Sequence, residues 1–240
     1  MLIIRILHTA FMILWVTISF VVGTILICGI ALFKKNRVES FHWAARIWAR
    51  MILLFSGIKT DVKGQENIPK DRAVILAANH QGIADIIILL AYLPQSFRFI
   101  IKKELFRIPF FGWYLKKCRY IPIDRMWGRA AHQTLEDMAQ VIKDGASILI
   151  FPEGTRSRDG TLGTFKRGVA DLYFKTGVPV VPIAISGSFG VVKKGSIVFY
   201  PHPVRVRIGS PVRLDYNEVS KENLLDAVGN IQTAVAQLLV

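Results

Sequence analysis

The chain has 240 residues, of which 31 are Lys or Arg, 17 are Asp or Glu and 52% are hydrophobic, so its formal net charge is +14. This composition excludes a disordered polycation, because such chains contain too few apolar residues to fold. The length allows one domain with a sizeable core, or a smaller domain with a membrane element.

The charge and the cysteine content narrow the class of protein further. The excess of positive charge predicts an anionic partner, such as nucleic acid, lipid headgroups or a phosphorylated substrate, and the hydrophobicity favours lipid. Two cysteines, Cys28 and Cys118, are too few for a disulfide framework or a tetrahedral metal site. We therefore expect a reducing compartment and no structural zinc.

The first predicted element is an apolar run from Ile6 to Phe33, in which every residue except His8 is apolar or small and uncharged. About 20 apolar residues span a bilayer, so this run is long enough. A cleaved signal peptide is the alternative, but it would have a shorter apolar core and a small-residue cleavage site, whereas Lys34, Lys35 and Arg37 follow this run. By the positive-inside rule, these basic residues place the remainder of the chain in the cytoplasm.

A second helix is predicted from Phe41 to Phe55, with His42, Arg46 and Arg50 on one stripe and apolar residues elsewhere. It could lie among lipid headgroups with its arginines reaching up to the water, or pair with the first helix as a hairpin entering one leaflet. The alternative is an ordinary buried helix of the following domain. We expect membrane-anchoring helices over residues 1–60 and a second domain over residues 61–240.

After residue 60, short apolar runs alternate with helical stretches. The predicted strands are Ala73–Ala78, Phe97–Ile101, Arg119–Ile123, Ser147–Phe151, Val180–Ile185, Ile197–Tyr200 and Val204–Ile208. The predicted helices are Ala84–Tyr92, Pro109–Lys117, Arg129–Lys143, Val169–Thr176 and Glu218–Leu239. The alternation predicts an α/β fold with a mostly parallel sheet flanked by helices, ending in an antiparallel pair near Val204.

The loop after the first of these strands carries a candidate general base. His80 lies in this loop and Asp85 in the first turn of the next helix, close enough to orient the imidazole. An oriented, neutral imidazole is a general base. No G-x-S-x-G nucleophile motif is present, so we expect the substrate to bring its own hydroxyl. The alternative is a helix-capping aspartate beside a surface histidine.

A basic segment interleaved with aromatic residues runs from Arg98 to Arg129. It contains nine Lys or Arg residues against Glu104 and Asp124. Such a segment could follow single-stranded nucleic acid, hold a phosphate beside an acyl chain, or rest on an anionic bilayer. A solvated basic helix face over core aromatics is the alternative, which suits Arg125 less well because that residue ends an apolar strand.

Residues 151–158, FPEGTRSR, follow another apolar strand and contain candidate phosphate ligands. Gly154 allows a close backbone approach and Thr155 offers a hydroxyl donor. Arg156 offers a planar guanidinium suited to phosphate. Glu153 could orient this guanidinium or bind a substrate hydroxyl. A plain surface turn is the alternative.

Together the chain resembles the 1-acylglycerol-3-phosphate acyltransferase family, also called lysophosphatidic acid acyltransferases. The resemblance rests on four ordered blocks: NHxxxxD at 79–85, Lys103 to Pro109 with Gly112 and Asp124-Arg125, FPEGTRS at 151–157, and VPIAISG at 181–187. One such block is a weak signal, whereas four in order are a strong one. The second domain is thereby identified as an acyltransferase domain with a glycerolipid acyltransferase-like fold.

The resemblance implies transfer of a fatty acyl group from acyl-CoA or acyl-acyl carrier protein to the 2-hydroxyl of lysophosphatidic acid, giving phosphatidic acid. It implies His80 as the base and Asp85 as its partner, without cofactor or metal. The glycerol phosphate would be bound by Lys103, Arg125, Glu153, Gly154, Thr155 and Arg156. Pro182 lies in the block associated with the acyl donor. We expect a monomer at the cytoplasmic face of a membrane, with no nucleic-acid partner.

Two positions depart from the family pattern and keep alternatives open. Many members carry Ser where this chain has Gly82, and Gly near Arg119, so the headgroup preference is less specified than the reaction class. An acyltransferase for another lysolipid, such as a lysophospholipid or lyso-ornithine lipid, is one alternative. A hydrolase of lipid esters or thioesters and a non-enzymatic membrane or anionic-polymer binding protein are the others.

Overall fold

The computed structural model describes residues 2–123, 129–192, 195–216 and 218–239. Its helices are α1 (Leu2–Leu32), α2 (Arg37–Ser56), α3 (Ala84–Tyr92), α4 (Phe111–Lys117), α5 (Arg129–Lys143), α6 (Gly168–Thr176) and α7 (Lys221–Gln237). Its strands are β1 (Thr60–Lys63), β2 (Ile75–Ala78), β3 (Phe97–Lys102), β4 (Ile121–Ile123), β5 (Ser147–Ile150), β6 (Val180–Ser186) and β7 (Val204–Ile208).

These strands form one sheet in the order β1-β7-β6-β2-β5-β3-β4. Strands β2 to β6 are parallel to their neighbours among themselves, while β7 runs antiparallel to β6 and parallel to β1. The carboxyl ends of β2 to β6 therefore meet at one edge of the sheet, where loops enter helices. The predicted mostly parallel α/β fold is confirmed.

The two faces of the sheet are covered by separate sets of helices. In β2, Leu76 and Ala78 join the core formed with α1 to α4, whereas Ile75 and Ala77 join the core formed with α5, α6 and α7. Because neighbouring strand residues point to opposite faces, a strand covered on both sides consists entirely of apolar residues. This explains the uninterrupted ILAA run of β2.

The N-terminal helices pack against each other and against the α/β unit. Residues Ile3–Leu32 of α1 form a helix long and apolar enough to cross a membrane. Trp15 contacts Phe55 and Phe20 contacts Trp48, so α1 and α2 are antiparallel. The side of α1 that faces away from α2 remains apolar and exposed, which fits association with a membrane.

The polar stripe of α2 faces the protein, so of the arrangements left open for this helix, the one in which its arginines reach up to lipid headgroups does not occur. Arg46 Nη2 donates to the carbonyl of Leu93 at 2.6 Å, and Arg50 Nε donates to the carbonyl of Ala91 at 3.0 Å. These carbonyls lie at the C-terminal end of α3, where unpaired carbonyl groups carry partial negative charge. His42 of the same stripe is buried as well, with Nδ1 3.2 Å from the hydroxyl oxygen of Tyr120.

Two strand predictions differ from the structure. Ile197–Tyr200 is not a strand, and β7 forms its antiparallel pair with β6 instead. Phe199 of this run packs on α1, where its ring lies 5.4 Å from that of His8 and its backbone N–H donates to Thr9 Oγ1 at 3.1 Å. In contrast, β1 was not predicted, because its sequence TDVK is polar and its pairing partner is β7, far along the chain.

Candidate active site

The site begins where β2 ends, at Asn79. Its side-chain amide donates to the carbonyl of Ile185 at 2.9 Å and accepts from the N–H of the same residue at 2.7 Å. The buried amide thus takes the place of a backbone group in the pairing of β2 with β6. This pairing fixes the point at which the chain leaves the sheet and enters the loop carrying His80.

His80 and Asp85 are in direct contact, as predicted from their spacing. His80 Nδ1 lies 2.8 Å from Asp85 Oδ2, and Asp85 is fully buried. The same oxygen accepts the backbone N–H groups of Gln81 at 2.8 Å and Gly82 at 2.9 Å. Since Oδ2 is an acceptor in all three contacts, Nδ1 carries a hydrogen, and in the neutral imidazole the lone pair is then on Nε2.

Glu153 holds the backbone of the same histidine. Its Oε1 accepts from the N–H of His80 at 2.9 Å, and its Oε2 accepts from the N–H of Gly163 at 3.3 Å. Burial raises the pKa of the Glu153 carboxyl, while these two backbone N–H groups act in the opposite direction. The structure therefore places this carboxylate on backbone amides beside the candidate base.

Aromatic and backbone contacts complete the surroundings of the imidazole. The ring of Phe151 stacks on that of His80, with centroids 4.0 Å apart and planes 16° apart. The carbonyl of His80 accepts from the N–H of Ser157 at 2.8 Å, and Gln81 Nε2 donates to the carbonyl of Gly160 at 2.7 Å. The loop after β5 is thereby attached to the loop after β2.

A polar cavity of about 280 Å³ opens in the loop after β5. Its lining includes the predicted ligands Glu153, Thr155 and Arg156. A Cβ added to Gly154, whose φ is +72°, would lie 3.0 Å from Lys166 Nζ, which places a second cation beside this turn. The cavity therefore combines two arginines and several hydroxyl groups with two carboxylates, and its arginines and hydroxyl groups are the ones suited to an anion.

Lys103, another predicted ligand, lies at the end of a different strand. Lys103 follows β3 and lines a second cavity, of about 420 Å³, with Arg107 and Lys116. Arg125 and Asp124 lie outside the described residues. The structure thus brings His80, Asp85 and the residues at 153–156 together, and it places Lys103 in a neighbouring cavity at the same edge of the sheet.

Several contributors were missed by sequence reasoning. Gly163 lies so close to Glu153 that an added Cβ would be 2.8 Å from Oε2. Gly82 is similarly close to Ser188, since an added Cβ would be 2.6 Å from its carbonyl oxygen. The position of Phe151 could have been predicted from the sequence, because this residue ends a strand directly before the glycine-rich loop. The contacts of Gly163 and Ser188 join distant parts of the chain, which no local pattern reveals.

Fold and site together define an α/β protein that holds an oriented imidazole beside a polar cavity, at the strand ends where such folds bind their ligands. The family model described as Acyltransferase matches residues 59–186, and the chain belongs to that family.

Proteins similar to this chain include two 1-acyl-sn-glycerol-3-phosphate acyltransferases and one 1-acyl-sn-glycerophosphate (LPA) acyltransferase of known structure. The chloroplastic BAT2 protein of Brassica napus is 40% identical over 185 residues, 76% of this chain and 53% of that protein. The Pseudomonas aeruginosa protein is 35% identical over 197 residues, 81% of this chain and 73% of that protein. The crystal structure of PlsC from Thermotoga maritima superposes with a TM-score of 0.82 at 28% identity, covering 98% of this chain and 97% of PlsC. This chain spans about half the length of the chloroplastic relatives.

Proposed function

We propose that the protein transfers a fatty acyl group from an acyl thioester to the 2-hydroxyl of 1-acyl-glycerol-3-phosphate, giving phosphatidic acid. The observation that carries this proposal is the 2.8 Å contact between His80 Nδ1 and the fully buried Asp85. In the neutral imidazole this contact leaves the lone pair, and so the basic atom, at Nε2. The names of the relatives supply the acceptor.

In this reaction Nε2 of His80 takes the proton of the acceptor hydroxyl as its oxygen attacks the thioester carbonyl. An ester C–O bond forms and the C–S bond breaks, after which the proton passes from Nε2 to the departing thiolate. A thioester is already an activated donor, so base catalysis, proximity and oxyanion stabilisation suffice without a covalent enzyme intermediate. Acyl-CoA and acyl-acyl carrier protein both supply this chemistry.

The other predicted site residues divide into two roles. We infer that Thr155, Arg156 and the turn at Gly154 bind the phosphate of the acceptor in the polar cavity. Lys103, which follows β3, and Arg125 are proposed to contribute to the same binding. For Glu153 we infer a positioning role, because both of its carboxylate oxygens accept from backbone N–H groups. The phosphate is an anion, so a carboxylate is a poor ligand for it.

The acceptor is an amphiphile of the bilayer, so the site has to lie at the membrane surface. We propose that α1 and α2 hold the site at the cytoplasmic face, in line with Lys34, Lys35 and Arg37 after the apolar run. The acceptor would then reach the site from the bilayer and the thioester from the cytosol.

The test uses purified protein in mixed micelles with lysophosphatidic acid and an acyl thioester, measuring free thiol and lipid product together. We expect thiol release that requires the acceptor, and a loss of about 10²–10⁴ in rate for His80→Ala. His132→Ala is the matched control, because His132 is an exposed histidine on α5 and should leave the rate unchanged.

Each contrary result would correct a different part of the proposal. Thiol release without acceptor would indicate a thioesterase. Transfer to other lysolipids but not to lysophosphatidic acid would replace the acceptor and keep the reaction class. An undiminished rate for His80→Ala would refute the assignment of the base.

A further inference from the structure

The chain between β3 and α4 presents a small apolar tip to the solvent. Leu105, Ile108 and Phe110 are 38%, 46% and 78% exposed. Single exposed apolar residues are ordinary in proteins, but a contiguous group marks an interaction surface. We call residues 105–110 the apolar tip.

The backbone holds this tip in one conformation. Phe110 has φ 59° and ψ −51°, which is unfavourable for a bulky side chain and turns its ring outward. The N–H of Gly112 donates to the carbonyl of Ile108 at 2.7 Å, and an added Cβ on Gly112 would lie 2.1 Å from the carbonyl oxygen of Phe106. The exposed ring is therefore presented by a tightly closed turn.

Positive charge surrounds the tip. Six Lys or Arg residues and one acid lie between positions 102 and 119. Arg107, Lys116 and Lys117 are exposed, and Lys117 Nζ lies 5.3 Å from the ring centroid of Trp113. Apolar and aromatic groups flanked by cations are typical of elements that rest at the interface of an anionic bilayer.

The tip is continuous with the N-terminal helices. Phe111 packs on Phe20 of α1 with centroids 5.6 Å apart, and Trp113 packs on Phe41 of α2 with centroids 5.7 Å apart. Both helices expose large apolar side chains on their outer sides. A bilayer that covers those helices therefore adjoins the apolar tip.

We propose that the apolar tip is a second membrane contact, in which Leu105, Ile108 and Phe110 enter the headgroup boundary of an anionic bilayer while Arg107, Lys116 and Lys117 lie at the lipid phosphates. A second contact at the tip restricts rotation of the domain about the axis of the helix pair. Because the tip directly follows β3, this orientation turns the carboxyl edge of the sheet toward the bilayer. The inference concerns docking and does not depend on the proposed reaction.

The experiment places a nitroxide spin label at Phe110→Cys in the full chain, in a Cys28→Ala background. Cys118 can remain, because it is fully buried and burial raises the pKa of its thiol to about 12. The protein is reconstituted in vesicles of phosphatidylcholine and phosphatidylglycerol. The accessibility of the label to oxygen and to a water-soluble nickel chelate is then measured.

Leu225→Cys is the matched control, since Leu225 is 63% exposed on α7, on the opposite side of the sheet. We expect the ratio of oxygen to nickel accessibility to be about tenfold higher at position 110 than at position 225. Equal ratios at both positions would overturn the proposal. If the ratios were equal and the spectrum of the label at position 110 broadened on addition of an acidic acyl carrier protein, the tip would be a contact for that protein instead.

A second variant tests the basic residues without altering the tip. The double substitution Lys116→Glu and Lys117→Glu should lower the ratio at position 110 severalfold in vesicles with phosphatidylglycerol and leave it unchanged in phosphatidylcholine alone. An equal ratio for the variant and the parent in both vesicles would remove the lipid phosphates from the proposal. Activity in mixed micelles is measured separately, so a failed acyl-transfer assay does not affect the outcome.

Discussion

The backbone N–H of His80 donates to Oε1 of Glu153 at 2.9 Å, while the imidazole of His80 contacts Asp85 at 2.8 Å. One residue is therefore held by two buried carboxylates, one at its ring and one at its backbone. Such supporting contacts fix the position of a reactive group more precisely than its own rotamer does. Substitution of Glu153 and substitution of Asp85 should accordingly have different effects on kcat and on stability.

Glu153→Gln should lower kcat about 10- to 100-fold and leave the KM for lysophosphatidic acid within about threefold. The amide offers one acceptor oxygen instead of two, so one buried N–H loses its partner, at a cost of about 1–3 kcal/mol. Steady-state kinetics in mixed micelles measures both constants. A raised KM with an unchanged kcat would show instead that the carboxylate binds the acceptor.

The same residue predicts a pH effect on stability. Burial raises the pKa of the Glu153 carboxyl above its ordinary value. The folded state therefore loses stability as the pH rises from the ordinary pKa of the carboxyl through its raised pKa, because the buried group then ionises. Glu153→Gln lacks this ionisation. The loss of unfolding free energy caused by Glu153→Gln should therefore be smaller at pH 7 than at pH 4, as measured by denaturant titration in detergent. A larger loss at pH 7 would contradict the direction of the pKa shift.

Asp85→Asn should lower kcat about 10²–10⁴-fold with little change in Tm. The amide oxygen can still accept from the N–H groups of Gln81 and Gly82, so the loop keeps its form, but the stabilisation of a protonated imidazole is lost. A residue that only caps α3 would tolerate this change, since Asn caps helices as well as Asp. Near-normal kcat would therefore favour the capping role.

Arg46→Ala should lower Tm by about 4–8 °C. Its guanidinium donates to the carbonyls of Leu93 and Pro94, and losing these charge-assisted bonds costs about 2 kcal/mol. Arg46→Lys should recover part of this loss, because an ammonium group lacks the fork that reaches both carbonyls. Arg37→Ala, at an exposed position in the first turn of α2, is the control. Equal Tm values for Arg46→Ala and Arg37→Ala would show that the hydrogen bonds of Arg46 do not contribute to stability.

The pairing of His80 with Asp85 was predictable because it is local, and the buried parallel strands were predictable because they are uniformly apolar. The orientation of α2 was not predictable, because a stripe with Arg46 and Arg50 suits both lipid headgroups and the carbonyl end of a helix. The role of Glu153 was hidden for another reason. A carboxylate in a glycine-rich loop looks like a ligand, and only the fold shows that the amides of His80 and Gly163 occupy it.

Gly82 illustrates how a departure from the family pattern can be structural. An added Cβ would lie 2.6 Å from the carbonyl oxygen of Ser188, so either the loop or the turn after β6 would have to move. The N–H of Gly82 donates to Asp85, and a shift of the loop would disturb the carboxylate that orients His80. We therefore expect Gly82→Ala to lower kcat about tenfold or more and to lower Tm by several degrees, as for other overpacked sites.

The matched control for Gly82→Ala is Gly229→Ala. Gly229 lies within α7 and has open space around it, so the added methyl group should raise stability by about 0.5–1 kcal/mol and leave kcat unchanged. Thermal unfolding and acyl transfer are measured on both variants. If Gly82→Ala matched its control in Tm and kcat, the loop would have room to relax, and the glycine would be dispensable for holding Asp85 against His80.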